Sequence, residues 1–171
     1  MKYLSYSENT LELLSLSAED TFALGTALGR ELFPGALLLL YGGLGMGKTK
    51  LTQGIGAALG IQRVKSPSFI IMSEYDGPLP LLHADLYRLE GKGQADALAI
   101  EEYLEQGFAA VIEWAERWSN PPESEIICIE FSRVENKVDE RKIKITASGA
   151  ESSELLHKIK AAAVEAEKNK C

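Results

Sequence analysis

Leu37-Leu38-Leu39-Leu40-Tyr41-Gly42-Gly43-Leu44-Gly45-Met46-Gly47-Lys48-Thr49-Lys50 is the stretch that decides the fold. The apolar run from Ala36 to Tyr41 does not alternate, which fits a strand covered on both faces, the usual state of a central parallel strand. Four glycines then fall within the six residues from Gly42 to Gly47. So bare a backbone cannot fill a core. Gly42 to Thr49 matches G-x-x-x-x-G-K-[ST] in full, between that strand and a helix, which is the context the motif requires. The pattern predicts a loop whose successive backbone N–H groups point inward around a phosphate. A Cβ at the tightest positions would meet the oxygens or forbid a positive φ. Lys48 would set a point charge on the β and γ oxygens, Thr49 would offer its hydroxyl to Mg²⁺, and the helix N-terminus would add its dipole. Gly42, Gly43, Leu44, Gly45, Met46, Gly47, Lys48, Thr49 and Lys50 are therefore the candidate nucleotide-binding residues.

Magnesium and an attacking water need acids at the carboxyl ends of strands near such a loop. Glu113 ends the run Ala109-Ala110-Val111-Ile112, a hydrophobic strand closed by an acid, and is the metal candidate beside Thr49. Asp85, inside Leu81 to Leu89, is the candidate for positioning water or sensing the γ-phosphate. Either acid could instead be a solvated surface charge or a partner for Arg88. Ser66-Pro67-Ser68 places hydroxyls where a switch loop could close over the γ-phosphate, or forms an ordinary polar turn. His83 reads as a strand side chain with a local partner. Trp114 and Trp118 read as packing residues or marks of a partner surface.

Outward from the loop, strands and helices alternate. Thr10 to Ser17 reads as a strand. Ser17 starts a helix as an N-cap, followed by Glu19 and Asp20 at its positive end. Leu24, Leu28 and Leu32 share one helical face, and Pro34-Gly35 stops it. The loop's own helix carries Leu51, Ile55, Ala58 and Leu59 on one side. Gly54 and Gly56 weaken it, which calls for close packing against the sheet. Ser66 to Tyr75 leads into a strand paired through a turn with Leu81 to Leu89. A polar link and a helix ending at Gly107 precede the buried strand Phe108 to Trp114. Glu125 to Phe131 is another strand. Arg141 to Ala147 alternates and reads as a last, edge strand. A helix with a charged tail spans about 150–171. The expectation is one domain over residues 1–171 with a three-layer α/β fold, helices on both faces of a mixed, largely parallel sheet.

Net charge is −7, which repels free nucleic acid unless a basic patch gathers locally, and no dense one is evident. DNA binding and membrane insertion are not expected: no apolar run is long enough to cross a bilayer. The start, Met1 to Leu14, lacks a secretory pattern, so a cytoplasmic protein is expected. Cys128 reads as a reduced core thiol and Cys171 as a free terminal one. Asn136-Lys137-Val138-Asp139 spells N-K-x-D, a guanine-reading motif, yet its polar setting between two strands is that of a hairpin turn.

Gly42 to Thr49, Val64 to Phe69, His83 to Leu89, the helix around Ala99 to Leu104, and Val111 to Glu116 occur together in an order that resembles the bacterial TsaE (YjeE) ATPases of tRNA threonylcarbamoyladenosine synthesis. The similarity spans most of the chain, from about Ser17 through the last strand. The resemblance implies a P-loop ATPase that uses ATP and Mg. It implies work with TsaB and TsaD proteins, the latter transferring threonylcarbamoyl to a tRNA adenosine, so tRNA would be met through the complex. It also implies that Lys48 and Thr49 hold phosphate and magnesium, that Glu113 holds the metal, and that Asp85 and Lys48 are catalytic. Arg141 would lie close to the nucleotide, and Thr21 would fall where the family approaches the base. Position 43 is glycine where that family usually has aspartate, position 50 lysine where threonine is common, and Ser68 replaces a threonine. The N-terminus carries extra residues, and Gly91 to Leu98 departs from the family's acidic link. Two other functions compete: a small-molecule kinase, which normally carries an arginine-bearing lid where Gly91 to Gly107 has only Lys92, and a GTP-switched module using the N-K-V-D turn.

Overall fold

The computed structural model describes residues 1–64, 71–89 and 93–168, the last three by backbone alone. The Ser66-Pro67-Ser68 loop and Cys171 lie outside the described residues. In chain order the elements are β1 (Lys2–Ser7), β2 (Thr10–Ser15), α1 (Ala18–Glu31), β3 (Leu37–Tyr41), α2 (Lys48–Ala58), β4 (Met72–Tyr75) and β5 (Leu81–Asp85). They continue with α3 (Ile100–Glu105), β6 (Ala109–Glu113), β7 (Ile126–Val134), β8 (Lys137–Ser148) and α4 (Ala150–Lys168), with short 3₁₀ turns after β5, before α3 and after β6.

The strands form one sheet in the order β1-β2-β8-β7-β3-β6-β5-β4. The four central strands, β7-β3-β6-β5, run parallel. The parallel arrangement stops there: β4 is antiparallel to β5, and β8, β2 and β1 extend the other side in antiparallel pairs. The sheet is therefore mixed, with its parallel part confined to the centre.

Two expectations change. The alternating segment Arg141 to Ala147 belongs to β8, which is an interior strand between β2 and β7 rather than an edge. Its alternation has another cause. Ile143, Ile145 and Ala147 face helices, while Lys142 and Lys144 face solvent, where they pair with Glu12 and Glu130. The outer edge is β1, a polar segment from which no strand was expected.

Ser17 caps α1 as its sequence suggests, its Oγ accepting from the Asp20 amide at 3.3 Å. Leu24 and Leu28 are fully buried. The glycines of α2 also do different work from that expected. A Cβ on Gly54 would lie 2.1 Å from the Phe22 carbonyl oxygen, and one on Gly25 would lie 2.1 Å from that of Leu51. The close approach is thus between α1 and α2 rather than between α2 and the sheet, while Gly56 gives room to Val64.

Two apolar clusters lie on opposite faces of the sheet. Leu24 and Leu28 of α1, Leu51 and Ile55 of α2, and Leu155 and Ile159 of α4 pack on Leu38, Leu40, Ile129 and Ile145. On the other face Ile100 and Trp118 pack on Leu37, Leu39, Leu82 and Ile112 of the central strands. Helix packing on both faces of the centre explains why β3 and β6 read as unbroken hydrophobic runs. Among the described residues, no helix is long and apolar enough to cross a membrane.

Candidate functional site

The glycine loop leaves the carboxyl end of β3, where open α/β sheets characteristically bind ligands. Gly42 and Gly47 take φ values of +134° and +104°, which an L side chain would strain. Gly47 is also the residue before α2, so the loop delivers the chain into the helix with the first α2 amides lacking intrahelical acceptors. Gly43 differs: its φ is not in that region, and a Cβ would meet nothing within 4 Å. The aspartate expected at that position would therefore fit, and glycine there is not a steric requirement of this fold.

Met46 is buried beneath the loop, whereas Leu44 stands 75% exposed at its tip. Lys48 is almost wholly buried. Its Nζ donates to the Gly43 carbonyl at 3.0 Å and to that of Gly42, and it lies 3.9 Å from the centre of the Trp114 ring. Burial lowers its pKa, against the charges of Glu113, Glu116 and Asp85, which raise it. Lys50 lies 5.3 Å from the Phe22 ring.

Glu113 and Asp85 end neighbouring parallel strands and sit opposite each other in register. Glu113 is buried, with Oε2 accepting from Thr49 Oγ1 at 2.8 Å. Its other oxygen, Oε1, is 2.9 Å from His83 Nε2 and 3.2 Å from Thr52 Oγ1. Asp85 Oδ1 accepts from the Tyr87 amide at 3.0 Å. Burial raises the Asp85 pKa above the ordinary aspartate value, and the Glu113 charge pushes the same way. The Tyr87 amide and the positive charge of Lys48 act against that rise. Residues 44–50, Asp85, Glu113 and Trp114 line one cavity of about 300 Å³.

Arg141 reaches the loop from β8, its Nη2 donating to the Gly45 carbonyl at 3.3 Å. Thr21, on α1, lies beside Gly47 of the loop. It is buried behind the loop, its hydroxyl 2.8 Å from that of Ser15 and its methyl facing Gly47. It supports the loop and does not line the cavity. The N-K-V-D segment joins β7 to β8 through a hairpin turn at Glu135-Asn136, with Val138 86% exposed. Trp118 packs in the core and donates Nε1–H to Asp96 at 3.0 Å.

Three side chains at the site were not assigned to it by sequence reasoning. Thr52 follows Thr49 by three positions, so both fall on one helical face. His83 precedes Asp85 by two, so both fall on one strand face. Trp114, in a left-handed conformation at φ 58°, stacks on Tyr87 with ring centres 4.8 Å apart. The first two were open to periodicity; the third needed the tertiary fold.

Fold and site together define an α/β protein in which a glycine loop and helix N-terminus face strand-end carboxylates. The family model described as "Threonylcarbamoyl adenosine biosynthesis protein TsaE" matches residues 15–147. The chain is 38% identical over 141 residues to the tRNA threonylcarbamoyladenosine biosynthesis protein TsaE of Bacillus subtilis, covering 81% of this chain and 87% of that one. It is 44% identical over 115 residues to the Nostoc protein of the same name, covering 63% and 70%. The crystal structure of Bacillus subtilis YdiB superposes with a TM-score of 0.70 at 32% identity, over 92% of this chain and 99% of that one. The chain belongs to the TsaE family.

Proposed function

We propose that this chain is a cytoplasmic P-loop ATPase subunit that binds and hydrolyses ATP with Mg to support threonylcarbamoyl transfer to a tRNA adenosine, acting with TsaB- and TsaD-like proteins. The observation that carries this reading is the 2.8 Å contact between Thr49 Oγ1 and Glu113 Oε2 at the mouth of the glycine loop. Two hard oxygen donors, one of them a carboxylate, suit Mg²⁺, which is bound through one or two carboxylates together with substrate phosphates. Thr49 and Glu113 would hold it, and its charge would neutralise that on the β and γ oxygens. The loop amides and Lys48 would bind the phosphates. The Lys48 ammonium would exchange the Gly42 and Gly43 carbonyls for phosphate oxygens, a stronger charge-assisted pairing. Asp85, at the next strand tip, would orient the attacking water. Arg141, tied to Gly45, would order the loop from the side and carry positive charge to the nucleotide. Family membership supports the place in tRNA threonylcarbamoyladenosine biosynthesis.

ATP turnover measured with and without the TsaB–TsaD pair tests the proposal. Slow hydrolysis alone and stimulation on mixing are expected. An unchanged rate and no binding to the pair would refute the assigned partnership. Competition between ATP and GTP for the loop is expected to favour ATP, since the N-K-V-D segment forms a hairpin; preference for GTP would instead support the switch-module reading.

A further inference from the structure

His83 is fully buried in β5. Its Nδ1 has no hydrogen-bond partner among the described residues, while its Nε2 lies 2.9 Å from Glu113 Oε1. A buried polar atom without a partner is costly, and the strand residues beside it, Leu82 and Ala84, are apolar and buried, as is Leu81. A leucine at position 83 would leave no such atom. Among the described residues, the other group near Oε1 is Thr52, whose single hydroxyl proton is shared with the Lys48 carbonyl at 3.1 Å. With Nε2 carrying the proton, as an ionised Glu113 requires of it, His83 is, among the described residues, the one donor to Oε1 not shared with a backbone acceptor. With Oε1 engaged from β5, Oε2 is the oxygen turned to Thr49.

We propose that His83 is a positioning residue: it holds one oxygen of Glu113 so that the other is presented, with Thr49, to the divalent cation. The proposal rests on the magnesium reading above and extends it to a residue that touches neither nucleotide nor metal. It assigns His83 a role in cation affinity. Partners of this kind, one layer removed from a metal, typically change metal affinity by about 10- to 100-fold when lost.

The test is calorimetric binding of ADP to the full chain across a Mg²⁺ titration, for the natural sequence, His83→Leu and His83→Gln. His83→Leu removes the donor at similar volume, and His83→Gln returns an N–H near the Nε2 position. The expected result is that His83→Leu binds ADP without Mg²⁺ as the natural sequence does, but needs about 10-fold more Mg²⁺ or beyond for half its tightening. His83→Gln should recover most of that loss. An unchanged Mg²⁺ midpoint in folded His83→Leu overturns the proposal. If circular dichroism shows His83→Leu unfolded, His83→Asn replaces it, its amide being too short to reach Oε1. A higher Mg²⁺ midpoint in His83→Asn than in His83→Gln then supports the role, and equal midpoints overturn it. The natural sequence decides the underlying reading separately. If Mg²⁺ fails to tighten its ADP binding, the magnesium reading falls and this proposal with it. If it does tighten binding and His83→Leu matches it, only the role of His83 is lost.

Discussion

Strand β6 buries all five of its side chains and β3 buries four of five, whereas β8 carries exposed or half-exposed residues at every position but Ile143, Ile145 and Ala147. The centre is covered on both sides and can carry charge only at its strand tips. Glu113 and Asp85 stand there, facing the loop. The flank is covered on one side and spreads its charge along the other, where Glu12 pairs with Lys142 at 3.0 Å and Glu130 with Lys144 at 3.5 Å. A charged group at the strand tip, shielded in part from solvent, interacts more strongly than one on the open ladder, which is screened. The same residue types are therefore gathered beside the glycine loop in one region and spread over a solvated face in the other.

Substitutions can break this contrast, and the largest effect is expected at the tip. Lys48→Ala should weaken ATP binding by at least about 100-fold, because it removes a buried charge from the phosphates; equilibrium nucleotide titration checks it. Asp85→Ala should leave binding near normal and lower turnover by roughly 100-fold or more, the range for losing a positioned acid–base group. Normal turnover in Asp85→Ala would remove that assignment. The raised Asp85 pKa adds a pH signature. If the ionised carboxylate orients water, turnover should fall on acidification at a pH above the ordinary aspartate pKa of about 3.9.

Packing comes next. Gly54→Ala should cost roughly 1–3 kcal/mol in urea unfolding, since its Cβ would press on the Phe22 carbonyl of α1 and the backbones must part. Asp85 then gives a subtler test through stability. Its pKa is raised in the fold, so the native state binds the proton more tightly than the unfolded chain. The stabilisation is present below the unfolded pKa and is lost as pH rises through the folded one. Asp85→Asn, neutral throughout, should have a higher urea midpoint than the natural sequence at pH 7, and the gain should vanish in acid. The smallest effect belongs to the ladder: Glu12→Ala should leave both the unfolding midpoint and ATP turnover unchanged within error, as exposed pairs contribute little. A large loss there would mean that the flank is not the solvated surface its exposure describes.

The sequence by itself determined what is contiguous along the chain. The loop, the strand before it and the helix after it are neighbours in sequence, so Gly42 to Lys50 could be read without knowing the fold. The Ser17 cap and the two strand-end acids were likewise visible, because each depends on residues a few positions away. Tertiary structure decided what depends on distant pairing. Alternation in β8 records one covered face, which is equally true of an edge strand and an interior one; only the pairing with β2, some 130 residues away in the chain, distinguishes them. The polar β1 has no such pattern and becomes a strand because β2 offers it an open edge. Gly25 and Gly54 acquire their purpose only when α1 and α2 meet. Glu113 could be named from its strand, but its orientation comes from Thr49, Thr52 and His83, held 64, 61 and 30 residues away. A side chain's chemistry is local, while the direction in which it is aimed belongs to the elements packed around it.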